Sequence, residues 1–327
     1  MTAPRRLPGR ALALALALAG AACALGLALC LGVHRPGIAG QAGPGIWAAT
    51  LALWGVATLA ATELAALAPR RPAGQRAAGL AVPLLFGLLV VALWEIVTVG
   101  AGVPAVLMPP PSSVVARFAT AWPTLAADFV QTFLRAALPG YVLGNLAGLA
   151  TAILADRVPF LRRGLLPVGH FASALPIVGV APIMVMWFGF DWPSKAAVVA
   201  LMTFFPMLVQ AGAGLAATGP LERDLMHGYA ASYRQTLLLL RLPAALPFLF
   251  TALKVNATLA LIGAIVAEFF GTPIVGMGFR ISIEAARLAL DMVWAEIALA
   301  GLAGSAFYGF VALLERATTH RPPTRAA

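Results

Sequence analysis

The side chains able to do chemistry in this sequence are few and far apart. Four histidines (His34, His170, His227, His320) and two cysteines (Cys23, Cys30) form no cluster with metal-ligand spacing. No nucleophile stands beside a base in a pattern that supports an enzyme. There is no glycine-rich phosphate loop of Walker type, so the chain itself is expected to bind neither ATP nor its magnesium. Both cysteines fall inside one apolar run, where small apolar packing residues are the ordinary reading and a redox pair the alternative.

Several polar residues lie within apolar runs, where each needs a physical reason. Lys254 can extend its stem to the surface. Asn256 can hydrogen-bond between helices or line a polar path. Glu268 ends an apolar run and reads as a gate, a partner contact or a structural acid. Glu63 and Glu95 stand near run ends and read as structural. His170 and Ser173 fall in a run broken by Pro167, Pro176 and Pro182, and such breaks survive in lipid only beside protein or a water-filled cavity. Asn145, His170, Ser173, Pro176, Met184, Asn256 and Glu268 are the candidates for a pathway or gate, with plain packing the alternative for Met184.

The densest polar stretch begins at Asp224 and closes at Leu242-Pro243. Thr218-Gly-Pro220 can open a helix, with proline accepted in its first turn. Glu222 and Asp224 then favour the positive end of the helix dipole. Gly228, Ala230 and Ala231 allow close backbone approach. Ser232-Tyr-Arg-Gln235 fits a capping box, and Pro243 is expected to end the second helix. By itself this is either a capped connector or a knob for a groove in another protein.

The elements that carry these residues must be membrane helices. The chain has 327 residues, 61% hydrophobic and 10% charged, with mean hydropathy +0.92; a soluble domain carries about 25% charged residues. Spans need about 20 mostly apolar residues, and eight fit: Ala11–Val33, Ile46–Leu67, Gly79–Val99, Phe133–Leu154, Leu165–Phe188, Ala196–Leu215, Pro247–Phe269 and Val293–Leu314. The first follows Arg5-Arg6 and has a signal-peptide alternative, but its length suits an uncleaved span. The net charge of +10 is scattered between the spans, which argues against nucleic acid. Arginines at 5–10, 70–76, 157–163, 223–241 and 316–325 fall on one side of an eight-span topology, which puts both termini in the cytoplasm. On the other side, Met108-Pro-Pro-Pro-Ser-Ser113 should be extended, and Phe279–Leu290 should form a short amphipathic helix.

The stretch from Asp224 resembles the coupling loop of ATP-binding-cassette (ABC) importer permeases. The family pattern is Glu-Ala-Ala, three residues, Gly, then nine residues to Ile, any residue, Leu-Pro. Asp224, Leu225 and Met226 take the first three positions, Ala230 the glycine's, and Leu240-Arg241-Leu242-Pro243 the closing element. Leu107-Met-Pro-Pro-Pro-Ser-Ser-Val114, Ser173-Ala-Leu-Pro176, Ala181-Pro-Ile183, Trp187-Phe-Gly189, Phe204-Phe-Pro206, Ala267-Glu268 and Gly276-Met-Gly278 are similar to segments of the nitrate, sulfonate and taurine permeases. The resemblance covers about Val103 to Arg316.

It implies an all-α integral membrane protein with a type I ABC importer permease core and two added N-terminal helices. The expected layout is a membrane region with three spans over 1–100, a periplasmic linker over 101–132, a permease core over 133–316 with its coupling loop at 218–243, and a tail over 317–327. It further implies, as partners, a second copy of the chain, two ABC ATPase subunits carrying ATP and magnesium, a periplasmic solute-binding protein and the bilayer of the bacterial inner membrane. ATPase contacts fall to Asp224, Leu225, Met226, Gly228, Ala230, Ala231, Leu242 and Pro243. The resemblance suggests sulfonates, taurine, nitrate or vitamin precursors such as pyrimidines or flavins as cargo. A proton-driven secondary transporter and an assembly scaffold stay open as alternatives.

Overall fold

The computed structural model describes residues 9–35, 38–66, 72–158, 160–161, 164, 177–271 and 274–319. The described residues are almost entirely helical, with no strand among them: α1 (Gly9–Val33), α2 (Pro44–Ala66), α3 (Pro72–Gly100), α4 (Pro111–Thr120), α5 (Trp122–Arg157), α6 (Ile177–Phe188), α7 (Trp192–Ala216), α8 (Pro220–Gly228), α9 (Tyr233–Glu268), α10 (Met277–Ala286) and α11 (Leu290–Thr319). Six are long and apolar enough to cross a membrane: α2, α3, α5, α7, α9 and α11. The first expected span lies within α1, and of the fifth only α6 falls among the described residues. His170, Ser173 and Pro176 lie outside the described residues.

The chain divides into two compact units. One runs to Ala119 and takes in Leu288–Asp291. In it α1, α2 and α3 pack around Ala22, Val33, Leu53, Ala57, Leu89 and Ile96. The proline-rich stretch is extended only as far as Pro110, because Pro111 opens α4. A proline's missing N–H is no loss in a first turn, so the sequence that reads as a stiff spacer becomes a helix start. Ser112 anchors that start on Glu95 of α3: its amide donates to Oε2 at 2.9 Å and its hydroxyl to Oε1 at 2.7 Å. His34 Nε2 lies 2.6 Å from the same Oε1. Glu95 therefore has a structural role, as its position in the sequence suggests.

The other unit covers Thr120–Arg287 and continues from Met292. Its centre is the contact of α5 with α7. Gly140, Gly144 and Gly148 recur every fourth residue on α5, so they share one face. A Cβ at Gly140 would sit 2.5 Å from the Ala196 carbonyl oxygen, and one at Gly148 2.5 Å from that of Phe204. At Gly144 it would run into Thr203 Oγ1 and the Ala200 carbonyl. In lipid, helix association rests on close packing rather than on the hydrophobic effect, and glycine lets the backbones meet. Next to this stripe Asn256 of α9 donates to Asn145 Oδ1 at 2.7 Å and to the Thr203 carbonyl at 2.8 Å. Asn145 in turn donates to the Tyr141 carbonyl at 2.7 Å. One pair of amides thus ties three helices.

Two helices carry a proline in their interior just after a widened turn, one of them where the sequence predicts an end. In α9 the turn Leu237–Arg241 is widened, and the Leu242 amide bonds to the Leu237 carbonyl, five residues back. In α5 the turn Val130–Ala137 is widened in the same way, with Leu138 bonded to Phe133. Pro243 and Pro139 follow immediately. A widened turn absorbs the residue whose amide a proline lacks, and it relieves the clash of the ring with the preceding turn. Pro243 therefore does not end the second helix of the polar loop: α9 runs unbroken through it, which corrects the expectation from sequence.

Candidate functional site

Polar chemistry gathers at the two ends of the second unit. At one end lies the loop from Thr218 to Pro243. α8 begins as its sequence predicts: Gly219 is the N-cap, and Glu222 Oε2 accepts from the Gly219 amide at 3.0 Å. It ends at Gly228 with two bonds that close the last turn. Ala230 donates to the His227 carbonyl at 2.9 Å and Ala231 to that of Met226 at 3.0 Å. This pairing forces the left-handed conformation on the first of the two residues, and Ala230 has φ 51°. The capping box at Ser232 is formed, Ser232 donating to Gln235 Oε1 at 2.8 Å.

The loop exposes large apolar side chains among its polar ones. Leu221, Leu225 and Tyr229 lie four residues apart on α8 and are 81, 59 and 76% exposed. They form one stripe. Asp224, Gly228 and Ala230 are exposed beside it; Met226, Ala231, Leu242 and Pro243 are half-buried.

The loop is fastened to the bundle by Arg241. Its Nη1 and Nη2 reach Asp156 at 2.5 and 2.7 Å, and its Nε donates to the Leu215 carbonyl at 3.0 Å. Tyr233 Oη adds a bond to Asp156 Oδ2 at 3.1 Å, and the Arg157 guanidinium lies over the Tyr233 ring. Arg223 holds the other side, donating to Thr218 Oγ1 at 2.9 Å and to the Ala216 carbonyl at 2.8 Å. The ends of α5 and α7 and the start of α9 therefore share one latch.

At the opposite end, three acids are buried together. Asp128 is fully buried, accepting from the Gly276 amide at 2.7 Å and from Arg280 Nε at 2.9 Å. Glu268 accepts from Thr132 Oγ1 at 2.8 Å and from the Gly278 amide at 2.7 Å, while the Met277 amide donates to Thr132 at 2.8 Å. Three successive amides at the start of α10 thus face two carboxylates and a hydroxyl, which suits the positive end of a helix dipole. Gly276 permits this: its φ is 142°, and a Cβ there would sit 2.7 Å from the Glu268 carboxylate. Burial lowers the pKa of Arg280, but the hydrogen bond and charge of Asp128 outweigh it and raise the pKa overall; the guanidinium stays charged. Glu296 is fully buried beside Asp128, and neither of its oxygens receives a donor among the described residues. Lys195 is buried too, donating from Nζ to the Phe190 carbonyl at 2.5 Å. Among the described residues no three His, Cys, Asp or Glu side chains are arranged to hold a metal ion.

The structure places the candidates as follows. Of the loop candidates, Asp224, Leu225, Gly228 and Ala230 are exposed, and Met226, Ala231, Leu242 and Pro243 are half-buried. Asn145 and Asn256 meet in the packing between helices, Glu268 joins the buried acids, and Met184 packs against Ala181, Val198 and Ala267. Lys254 pairs with Glu315 at 2.8 Å. Sequence reasoning missed Asp128, Thr132, Asp156 and Glu296, and read Arg241 as a topology charge within the closing element of the loop. The fourfold glycine spacing at 140, 144 and 148 was a usable signal; the bond between Asp156 and Arg241 left none.

Comparison with known proteins adds an independent observation. Residues 140–320 match the family described as binding-protein-dependent transport system inner membrane component. The chain is 31% identical to a probable ABC transporter permease protein of Haemophilus influenzae, over 66% of this chain and 87% of that protein. It is 30% identical to the riboflavin transport system permease protein RibX of Chloroflexus aurantiacus, over 72% of this chain and 88% of that protein. Against the formylaminopyrimidine transport permease protein ThiX of Halalkalibacterium halodurans the identity is 32%, over 58% and 75%.

Proposed function

Because the chain belongs to the family of binding-protein-dependent transport system inner membrane components, we propose that it is the membrane-spanning subunit of an ATP-driven importer. It works as a pair of identical copies, with both termini in the cytoplasm of a bacterial cell. Two ABC ATPase subunits, which carry the ATP and magnesium, lie beneath the pair. A periplasmic solute-binding protein docks on the side of α10 and delivers a small solute. The names of the relatives put flat nitrogen heterocycles such as riboflavin and formylaminopyrimidine first, with sulfonates and taurine as further classes.

The observation that carries this reading is the loop at 218–243. α8 offers the exposed stripe of Leu221, Leu225 and Tyr229, a helix face suited to a groove in the ATPase. Arg223 of that helix holds Thr218 and the Ala216 carbonyl at the end of α7, and Arg241 of α9 ties α9 to α5 and α7. When the ATPases close, the loop moves with them, and the latch passes the motion to three membrane helices at once. The bundles then rock as rigid bodies and the pathway opens to the other side.

The test is co-purification of tagged chain from gentle detergent, with mass spectrometry of what accompanies it. Wild type should retain an ABC ATPase. Leu225→Asp and Ala230→Asp should lose it while still inserting into the membrane. Ala230→Gly should retain it, because glycine takes φ 51° without the cost of about 1–2 kcal/mol that a side chain bears there. An ATPase absent under every condition, or one retained by both aspartates, would sink the proposal.

A further inference from the structure

The first unit holds a cavity of about 340 Å³ among α1, α2, α3 and the start of α4. Its wall follows α1 from Ala22 to Cys30 and α3 from Leu85 to Glu95. At 1.5 Å per residue these are lengths of about 12 and 15 Å. The space is a furrow along the helix axes, the direction taken by acyl chains around membrane helices. It exists because Ala22, Gly26 and Ala57 bring so little bulk to their faces.

The lining is apolar apart from the two thiols, except at one end, where Glu95 and Ser112 stand. The apolar stretch offers water too few partners to hold it. Left empty, its walls would forfeit dispersion contacts. The solvent of these helices is hydrocarbon, so an alkyl chain is the material at hand. The polar end selects the headgroup. Glu95 Oε1 already meets Ser112 Oγ and His34 Nε2, while among the described residues Oε2 receives only the Ser112 amide. A carboxylate has about four acceptor positions, so one on Oε2 is left for a donor. A cation suits it, whereas a headgroup carrying only a phosphate is repelled.

We infer that this furrow is a binding site for one alkyl chain of a membrane phospholipid whose ammonium headgroup lies at Glu95. The site lies wholly in the first unit and does not depend on the transport reading. Phosphatidylethanolamine has the required chemistry and phosphatidylglycerol lacks it.

Two glycines of α1 make the test specific. A Cβ at Gly26 would meet Leu53 at 3.7 Å and Ala92 at 3.8 Å, both ordinary contacts, so the further carbons of Gly26→Leu enter the furrow. Gly20 has nothing within 4 Å, and Gly20→Leu is the control for helix and insertion. The full-length chain would be reconstituted in vesicles of equal phosphatidylethanolamine and phosphatidylglycerol, extracted, delipidated and weighed by native mass spectrometry. Wild type and Gly20→Leu should keep one phosphatidylethanolamine, and Gly26→Leu at least tenfold less. Glu95→Gln should keep a lipid but lose the preference at least threefold. A diazirine-tailed phosphatidylethanolamine should label peptides of α1 and α3 in wild type. Equal retention by Gly26→Leu and Gly20→Leu, or labelling confined to other helices, overturns the site. Equal retention of the two lipids by wild type overturns the headgroup assignment.

Discussion

Arg241 and Asp156 stand 85 residues apart in sequence and meet through two parallel contacts of 2.5 and 2.7 Å. The two side chains are only 14 and 10% exposed. Removing one partner leaves the other charge largely buried and alone, which costs about 3–5 kcal/mol for a fully buried pair. Asp156→Asn and Arg241→Gln should therefore lower the melting temperature in detergent. Arg241→Lys keeps the charge but loses the planar fork, so it too should fall short of wild type. Arg241→Met combined with Asp156→Leu should recover much of the stability, because an apolar pair of similar volume replaces the charges. Solute-stimulated ATP hydrolysis in the assembled transporter should stay low in the double variant, since the bond from Arg241 to Leu215 is gone as well. Full recovery of both would mean that the latch serves folding alone.

Gly144 is the tightest point between α5 and α7. Gly144→Ala drives a methyl group into Thr203 Oγ1 and the Ala200 backbone. Neither neighbour is the free end of a flexible chain, so the helices must separate. Over-packing of this kind costs about 1–3 kcal/mol, and it also disturbs the adjacent bond between Asn145 and Asn256. Thermal melting should show the loss, while Gly164→Ala, with nothing within 4 Å, should melt as wild type. Identical melting of the two variants would refute close backbone packing at Gly144.

Glu296 is buried without a donor, facing Asp128. Glu296→Gln keeps its shape and supplies an N–H that Asp128 can accept. Stability should hold or rise by about 1 kcal/mol. Asp128→Asn should instead weaken the hold on Arg280 and the Gly276 amide, and hydrogen exchange in α10 should quicken. A marked drop in melting temperature for Glu296→Gln would show that the carboxyl group itself is needed.

What was legible in the sequence was local. Ser232 and Gln235, Gly219 with Pro220, and the amphipathic piece expected over 279–290 follow from neighbours three or four residues apart; the first two appear as read, and the third as α10, which ends at Ala286. Pro243 shows the limit: the rule that proline ends a helix is local and sound, yet one widened turn absorbs it. The proline-rich stretch shows the same limit, since Pro111 opens a helix rather than extending a spacer. Among the described residues six helices long enough to cross a membrane lie on six of the eight expected apolar runs.

The sequence by itself determined that this chain lives in lipid, that it is helical, and where its capped polar loop falls. These follow from composition and from periods of a few residues, because lipid obliges each helix to satisfy its own backbone. Only the tertiary structure decided which polar groups face one another. Asp128 finds Arg280 across 152 positions, Asn145 finds Asn256 across 111, and Asp156 finds Arg241 across 85. Such partners are chosen by how the helices pack, and packing depends on where glycine lets two backbones touch, which no short window of sequence reports.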